Sequence, residues 1–218
     1  MIERQPLRKQ VQKEILARIA DNRLPPGFRI NESHLALDMG ISRTPLREAM
    51  LGLEATGFLA SDMGRGFMVP QISSEEFLQR QAMLAKMAPY ALGLTQSIPT
   101  SQIMELSNLL GRAKLKINQD PAGSGSLLAD LICRWTLLTI SGCPNQMLVN
   151  DITRLDALAR RCWNQAVLLG FDPATMLESY AALYELLRTQ NRDAAAVHWE
   201  NHITQYSSDA AQSFSTAL

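Results

Sequence analysis

The 218-residue sequence predicts a mainly α-helical protein of two domains. An N-terminal winged helix-turn-helix, three helices plus a small β-wing, is expected over 1–72, and an all-helical bundle of about six helices over 73–218. Three observations lead there. Apolar residues recur at helical spacing from Leu7 onward, and Gly- and Pro-rich stops punctuate them. One short stretch, Phe58 to Val69, has paired apolar segments around central glycines, the pattern of a hairpin. From Ser73 onward no further strand pattern occurs.

The first helix is expected from about Pro6 to Asn22, with Leu7, Val11, Ile15 and Ile19 as its apolar stripe. Pro25-Pro26-Gly27 ends it, because consecutive prolines cannot continue a helix. Phe28-Arg29-Ile30 reads as a short extended piece, and Asn31 to Met39 as a second helix turning at Gly40. A third helix enters through Ser42 or Thr44, with Pro45 in its first turn, where no amide partner is lost. Its buried stripe is Leu46, Ala49, Met50 and Leu53, and Gly57 is placed as a left-handed terminator. Phe58-Leu59 and Phe67-Met68-Val69 are the expected wing strands, flanking Gly64-Arg65-Gly66. Beyond the wing, breakers at Pro99, residues 120–125, residues 142–144 and residues 170–173 divide six expected helices. They span roughly 74–96, 100–119, 126–141, 145–168, 174–189 and 192–214.

Composition narrows the function. Hydrophobic residues make up 46% of the chain and charged residues 19%, an ordinary globular balance. No run reaches the ~18 uninterrupted apolar residues of a membrane span. The first residues have no apolar signal core, so the expected location is the cytoplasm. Cys133, Cys143 and Cys162 are odd in number and form no CxxC pair, which argues against a disulfide framework or structural zinc. Trp135, Trp163 and Trp199 fall at core-like helical positions. No phosphate-binding glycine loop, GxSxG elbow or HExxH pair is present, so the sequence offers no catalytic machinery. Total charge is 21 Lys and Arg against 21 Asp and Glu. Residues 1–70 hold 10 against 8, a net +2 whose sign suits an N-terminal nucleic-acid module.

Placement of those charges carries more weight than their sum. A helix that enters the major groove must present polar and cationic side chains at its N-terminal end, and Arg43, Thr44 and Arg47 stand there opposite the apolar stripe. An arginine can bond bidentately to guanine, and a threonine can meet a thymine methyl or a phosphate. Arg65, between two glycines, can approach backbone or minor groove at the wing tip.

Residues 24–69, and above all Gly40-Ile41-Ser42-Arg43-Thr44-Pro45-Leu46-Arg47-Glu48-Ala49, closely resemble the DNA-binding domain of the GntR family of regulators. The resemblance implies that Arg43 and Arg47 read DNA, that Thr44 contacts backbone or base, that Gly64 belongs to the groove-entering wing, and that Ser33 contacts phosphate. Residues 73–215 resemble the FadR-like subfamily's helical FCD effector domain. Many such domains hold a divalent metal with one Asp and three His, and through it a carboxylate effector. Here Asp130 fits the first position, but Arg134 replaces the first histidine and Tyr180 the second, while His202 supplies the third. A guanidinium cannot coordinate a cation and a phenol is a poor replacement for imidazole, so no metal and no other cofactor is expected.

Arg134 can instead supply the missing positive charge and clamp an anionic effector, with Asp130, Tyr180 and His202 around it; the alternative is an Asp130–Arg134 ion pair filling a relict cavity. The expected partners are a palindromic double-stranded operator, a small carboxylate effector and a second copy of the chain, with no membrane. The expected function is repression released by that effector. Two alternatives are a regulator whose C-terminal half only dimerises, and a small helical enzyme carrying a winged helix.

Overall fold

A computed structural model describes residues 7–61 and 66–215. The chain divides into two compact units, Met1–Ile72 and Ser73–Leu218.

In the first unit, α1 (Leu7–Ala20) buries Val11, Ile15 and Ile19, as the four-residue spacing requires. Leu7, at the free first turn, is half exposed instead. The helix stops two residues short of the expected Asn22, which takes a left-handed φ of 62° that asparagine tolerates. Strand β1 (Arg29–Ile30) leads into α2 (Glu32–Asp38), where the Asn31 side chain accepts the His34 amide at 3.0 Å and caps the helix. Helix α3 (Arg43–Ala55) follows Ser42, whose side chain makes no capping bond. Gly40 and Gly57 take φ of 64° and 83°, the left-handed conformations that end α2 and α3. Leu46, Ala49, Met50 and Leu53 are all buried and join α1 to the sheet in one apolar cluster with Leu59, Phe67 and Val69.

The wing differs from expectation in two respects. Its first strand, β2, is Ala60–Ser61 rather than Phe58–Leu59. The amides of Phe58 and Leu59 still bond the Leu53 carbonyl, at 2.9 and 3.4 Å, so these residues close the helix before the strand begins. In addition, β3 (Phe67–Met68) is the centre of a three-stranded antiparallel sheet of order β1-β3-β2. Arg29 faces Met68 on one side, and Ala60 faces Met68 on the other. The Gly27 amide and the Val69 carbonyl extend this pairing at 2.9 Å. Gly64 and Arg65, expected at the wing tip, lie outside the described residues.

The second unit is helical throughout its described residues: α4 (Ser74–Leu94), α5 (Thr100–Gln119), α6 (Gly125–Ile140), α7 (Gln146–Leu168), α8 (Ala174–Arg188) and α9 (Arg192–Ser215). The glycine-rich link before α6 is ordered as a 3-10 turn, Ala122–Ser124. Helix α4 packs along α9, and α6 along α7. Trp135, Trp163 and Trp199 are buried in this core, as their spacing predicts. Phe77 meets Trp163 and Phe214 edge-on, with ring centroids 5.3 and 5.6 Å apart. Cys143 and Cys162 are buried, Cys133 is half buried, and all three thiols are free.

Candidate nucleic-acid interface and bundle cavity

The exposed end of α3 follows from its amphipathic pattern. The stripe that buries Leu46 and Met50 forces Arg43, Thr44 and Arg47 to the opposite, solvent side. The guanidiniums of Arg43 and Arg47 keep 65% and 60% of their side-chain surface open. Sited four residues apart on one helix face, two cations repel. Beneath them lies Glu32, the first residue of α2, whose side chain is only 10% exposed. Its Oε2 stands 4.0 Å from Arg43 Nη2 and 3.6 Å from Arg47 Nη1. Those distances allow charge attraction but not hydrogen bonds. This buried oxygen has no hydrogen-bond donor among the described residues. Arg18 of α1 bonds Glu14 at 2.8 Å and pairs with Asp38, which anchors α2 against α1.

Ser33, Arg43 and Arg47 share one concave surface with Arg29, Glu32 and Ser61, so residues from both helices and the sheet face one groove. Thr44 lines the adjoining depression with Arg43 and Arg47. Sequence reasoning had not singled out Arg29 or Glu32. Their signal is position alone: Glu32 directly follows the Asn31 cap that fixes the start of α2, and Arg29 lies two residues before it.

In the second unit, the structure separates the expected effector group into two pairs. Tyr180 and His202 are buried with ring centroids 4.4 Å apart, within a stack that runs from Trp135 through Tyr180 and His202 to Tyr206. Asp130 and Arg134 do not line this cavity, and the alternative Asp130–Arg134 ion pair does not form either. Asp130 pairs with Arg160 of α7, and Arg134 with Glu105 of α5 at 2.5 Å. The inward face of α6 is set by Ile132, Trp135, Thr136 and Thr139, which turns positions 130 and 134 to the flank. The cationic clamp for a carboxylate is therefore not in the cavity. Nor do these residues fit the one-Asp, three-His metal set, since Asp130 and His202 do not meet. Among the described residues no three His, Cys, Asp or Glu side chains cluster as a metal would need.

The cavity beside Tyr180 and His202 has its own carboxylate, Asp156 of α7, together with Gln81 of α4 and Thr136 of α6. Both acidic and amide groups could have been found from spacing. Asp156 interrupts the buried run Ile152, Ala159, Trp163, and Gln81 interrupts Phe77, Leu84, Ala88. A polar residue on an apolar stripe is the informative exception. Burial pushes the Asp156 carboxyl up to about 7, against a smaller opposing pull from the Thr136 hydroxyl. Burial takes the His202 imidazole down to about 3, helped by His198, so this ring is neutral.

His198 and His202 meet at Ser179. His198 Nε2 lies 2.9 Å from the Ser179 carbonyl, which can only accept, so that nitrogen bears hydrogen. Ser179 Oγ lies 3.0 Å from the same nitrogen and 2.8 Å from His202 Nδ1, so one hydroxyl links the two rings. His202 Nε2 donates or accepts according to which of its ring nitrogens carries the proton. Nε2 of His202, Nε2 of Gln81, Nε1 of Trp163 and Oδ2 of Asp156 are all buried without a hydrogen-bond partner among the described residues. The free volume is about 20 Å³, the space of one water-sized group.

A three-helix unit whose third helix exposes arginines beside an antiparallel wing is a winged helix-turn-helix of the DNA-binding kind. Residues 7–69 match the family model described as bacterial regulatory proteins, gntR family, and are similar to the N-terminal domain of that family's regulators. The HTH-type transcriptional regulator YdhC of Bacillus subtilis is 24% identical over 196 residues, covering 88% of this chain and 86% of that one. The HTH-type transcriptional repressor RspR of Escherichia coli is 23% identical over 212 residues, covering 95% and 90%. The solved structure of E. coli McbR/YncC superposes with a TM-score of 0.81 at 19% identity, over 97% of this chain and 100% of that one. That last likeness is one of fold. The family and these relatives are transcription regulators rather than enzymes.

Proposed function

We propose that this protein is a regulator of the FadR-like subfamily that binds a palindromic double-stranded operator as a homodimer and represses until a small effector enters its FCD-type helical unit. The observation that carries the DNA-binding part is the Arg43–Arg47 pair, held at the exposed end of α3 above a buried carboxylate. Ser33, Thr44, Gly64 and Arg65 complete the proposed contact set. One short helix reads too few bases to be selective, so two copies reading two half-sites are the economical solution. Action on chromosomal DNA puts the protein in the cytoplasm, and no helix of the described residues is long and apolar enough to cross a membrane.

The test is selection of bound fragments from random duplex DNA, followed by footprinting. An inverted repeat protected at modest ionic strength is the expected result, with sedimentation at twice the 24.2 kDa chain mass. Absence of any protected site would sink the reading. A second reading, in which the helical unit only dimerises, draws on the small free volume of its cavity. A saturable ligand-induced rise in melting temperature separates the two.

A further inference from the structure

We propose that the bundle cavity recognises an uncharged, hydroxyl-rich small molecule, of the polyol or sugar class, rather than a carboxylate. This inference rests on the sensing role proposed above and names the chemistry of its ligand.

The polar groups decide the class. Gln81 Nε2–H and Trp163 Nε1–H are donors, Asp156 Oδ2 accepts when ionised and can donate when protonated, and His202 Nε2 donates or accepts with its tautomer; all four atoms are buried and unpartnered among the described residues, and all four residues line the cavity. Gln81, Asp156 and His202 are 4%, 6% and 3% exposed, and Trp163 is 3% exposed. A buried donor or acceptor left unmatched costs about 1–3 kcal/mol, so the set is complementary to something that both donates and accepts. A hydroxyl group does both.

Charged ligands match less well. No arginine or lysine lines the cavity. Arg134 of α6 and Arg160 of α7 lie outside the lining and are engaged by Glu105 and Asp130. A carboxylate would find no counter-charge in the cavity, and an ammonium group would face the N–H donors of Gln81 and Trp163. The walls are aromatic, with Trp163, Tyr180, Trp199 and Tyr206 supplying flat apolar faces against which the C–H surface of a polyol can pack.

The free volume of about 20 Å³ admits a single hydroxyl-sized group. A whole polyol fits only if the surrounding side chains move apart. Those side chains come from α4, α6, α7, α8 and α9, so a ligand that binds only the opened bundle shifts the arrangement of five helices. That coupling is what a sensor requires.

The full chain labelled with 5-fluorotryptophan provides the test, with fluorine signals assigned through Trp163→Phe and Trp199→Phe. Titration with glycerol, ribitol and D-xylose is compared with sodium acetate and ammonium chloride at constant ionic strength. The expected result is a saturable shift of the Trp163 and Trp199 signals with at least one of the three uncharged compounds. Asp156→Asn and Gln81→Leu should each weaken it by about tenfold or more, with the helical circular dichroism unchanged. A response to acetate alone would overturn the ligand class and leave sensing in place. A polyol response that survives both substitutions would overturn the site. No saturable response to any of the five, with operator binding intact, would overturn this inference and favour the dimerisation reading.

Discussion

Oε2 of Glu32 lies 3.6 Å from Nη1 of Arg47, a nearly buried carboxylate beneath an exposed guanidinium. The same oxygen reaches to 4.0 Å from Arg43. Geometry of this kind pre-orders two long side chains without hydrogen-bonding them, so both keep their full donor forks for a partner.

Arg47→Ala should remove selective operator binding while leaving the fold intact. Loss of one bidentate base contact costs about 1–3 kcal/mol. An exposed substitution of this type shifts folding stability by less than about 0.5 kcal/mol. Fluorescence anisotropy against operator and scrambled duplexes, beside a urea titration, checks both halves. Equal weakening on both duplexes would make Arg47 a phosphate contact instead.

Glu32→Gln removes a negative charge from the proposed DNA-facing groove and frees the arginine pair. Affinity for random-sequence duplex should rise, and the ratio of selective to random binding should fall. The measurement is that ratio at two salt concentrations. An unchanged ratio would show that the carboxylate does not position the arginines.

Met50→Ala opens a hole in the apolar cluster of the first unit, where the side chain is fully buried. The expected loss is about 2–5 kcal/mol in urea unfolding. Leu51→Ala, next in sequence but 50% exposed, should cost far less. A similar loss at both positions would contradict the burial pattern of α3.

Asp156 and His202 should give opposite dependences of stability on pH. The folded carboxyl of Asp156, at about 7 against an ordinary 3.8, favours its proton; its contribution is full below 3.8 and is lost as pH rises through 7. The folded imidazole of His202, at about 3 against an ordinary 6.5, resists its proton; its contribution is present above 6.5 and is lost as pH falls toward 3. Between 3.8 and 6.5 the two effects offset each other. Asp156→Asn should therefore gain stability relative to the parent as pH rises from 4 toward 7. His202→Gln should gain relative to the parent as pH falls below 6.5. Parallel pH curves for parent and variants would refute both environments.

Much of the fold was legible because its elements are local. The six helices of the second unit lie within about two residues of their sequence boundaries, since Pro and Gly stops and caps such as Ser73 and Asn145 act at short range. The apolar stripe of α3 likewise fixed which side of that helix faces solvent, and with it the exposure of Arg43, Thr44 and Arg47. The participation of β1 in the wing sheet was not legible, because pairing Arg29 with Met68 depends on a contact made across the whole first unit.

The sequence by itself determined the helical architecture, the winged unit and the arginine-bearing helix end, because periodicity and capping are properties of neighbouring residues. Only the tertiary structure decided the cavity. Asp130 and Arg134 share a turn of α6 and still face away from Tyr180 and His202, because the rotation of a helix about its axis is set by how its apolar face seats against other helices. The same packing brought Gln81 and Asp156, from helices distant in sequence, to the two sides of one buried space.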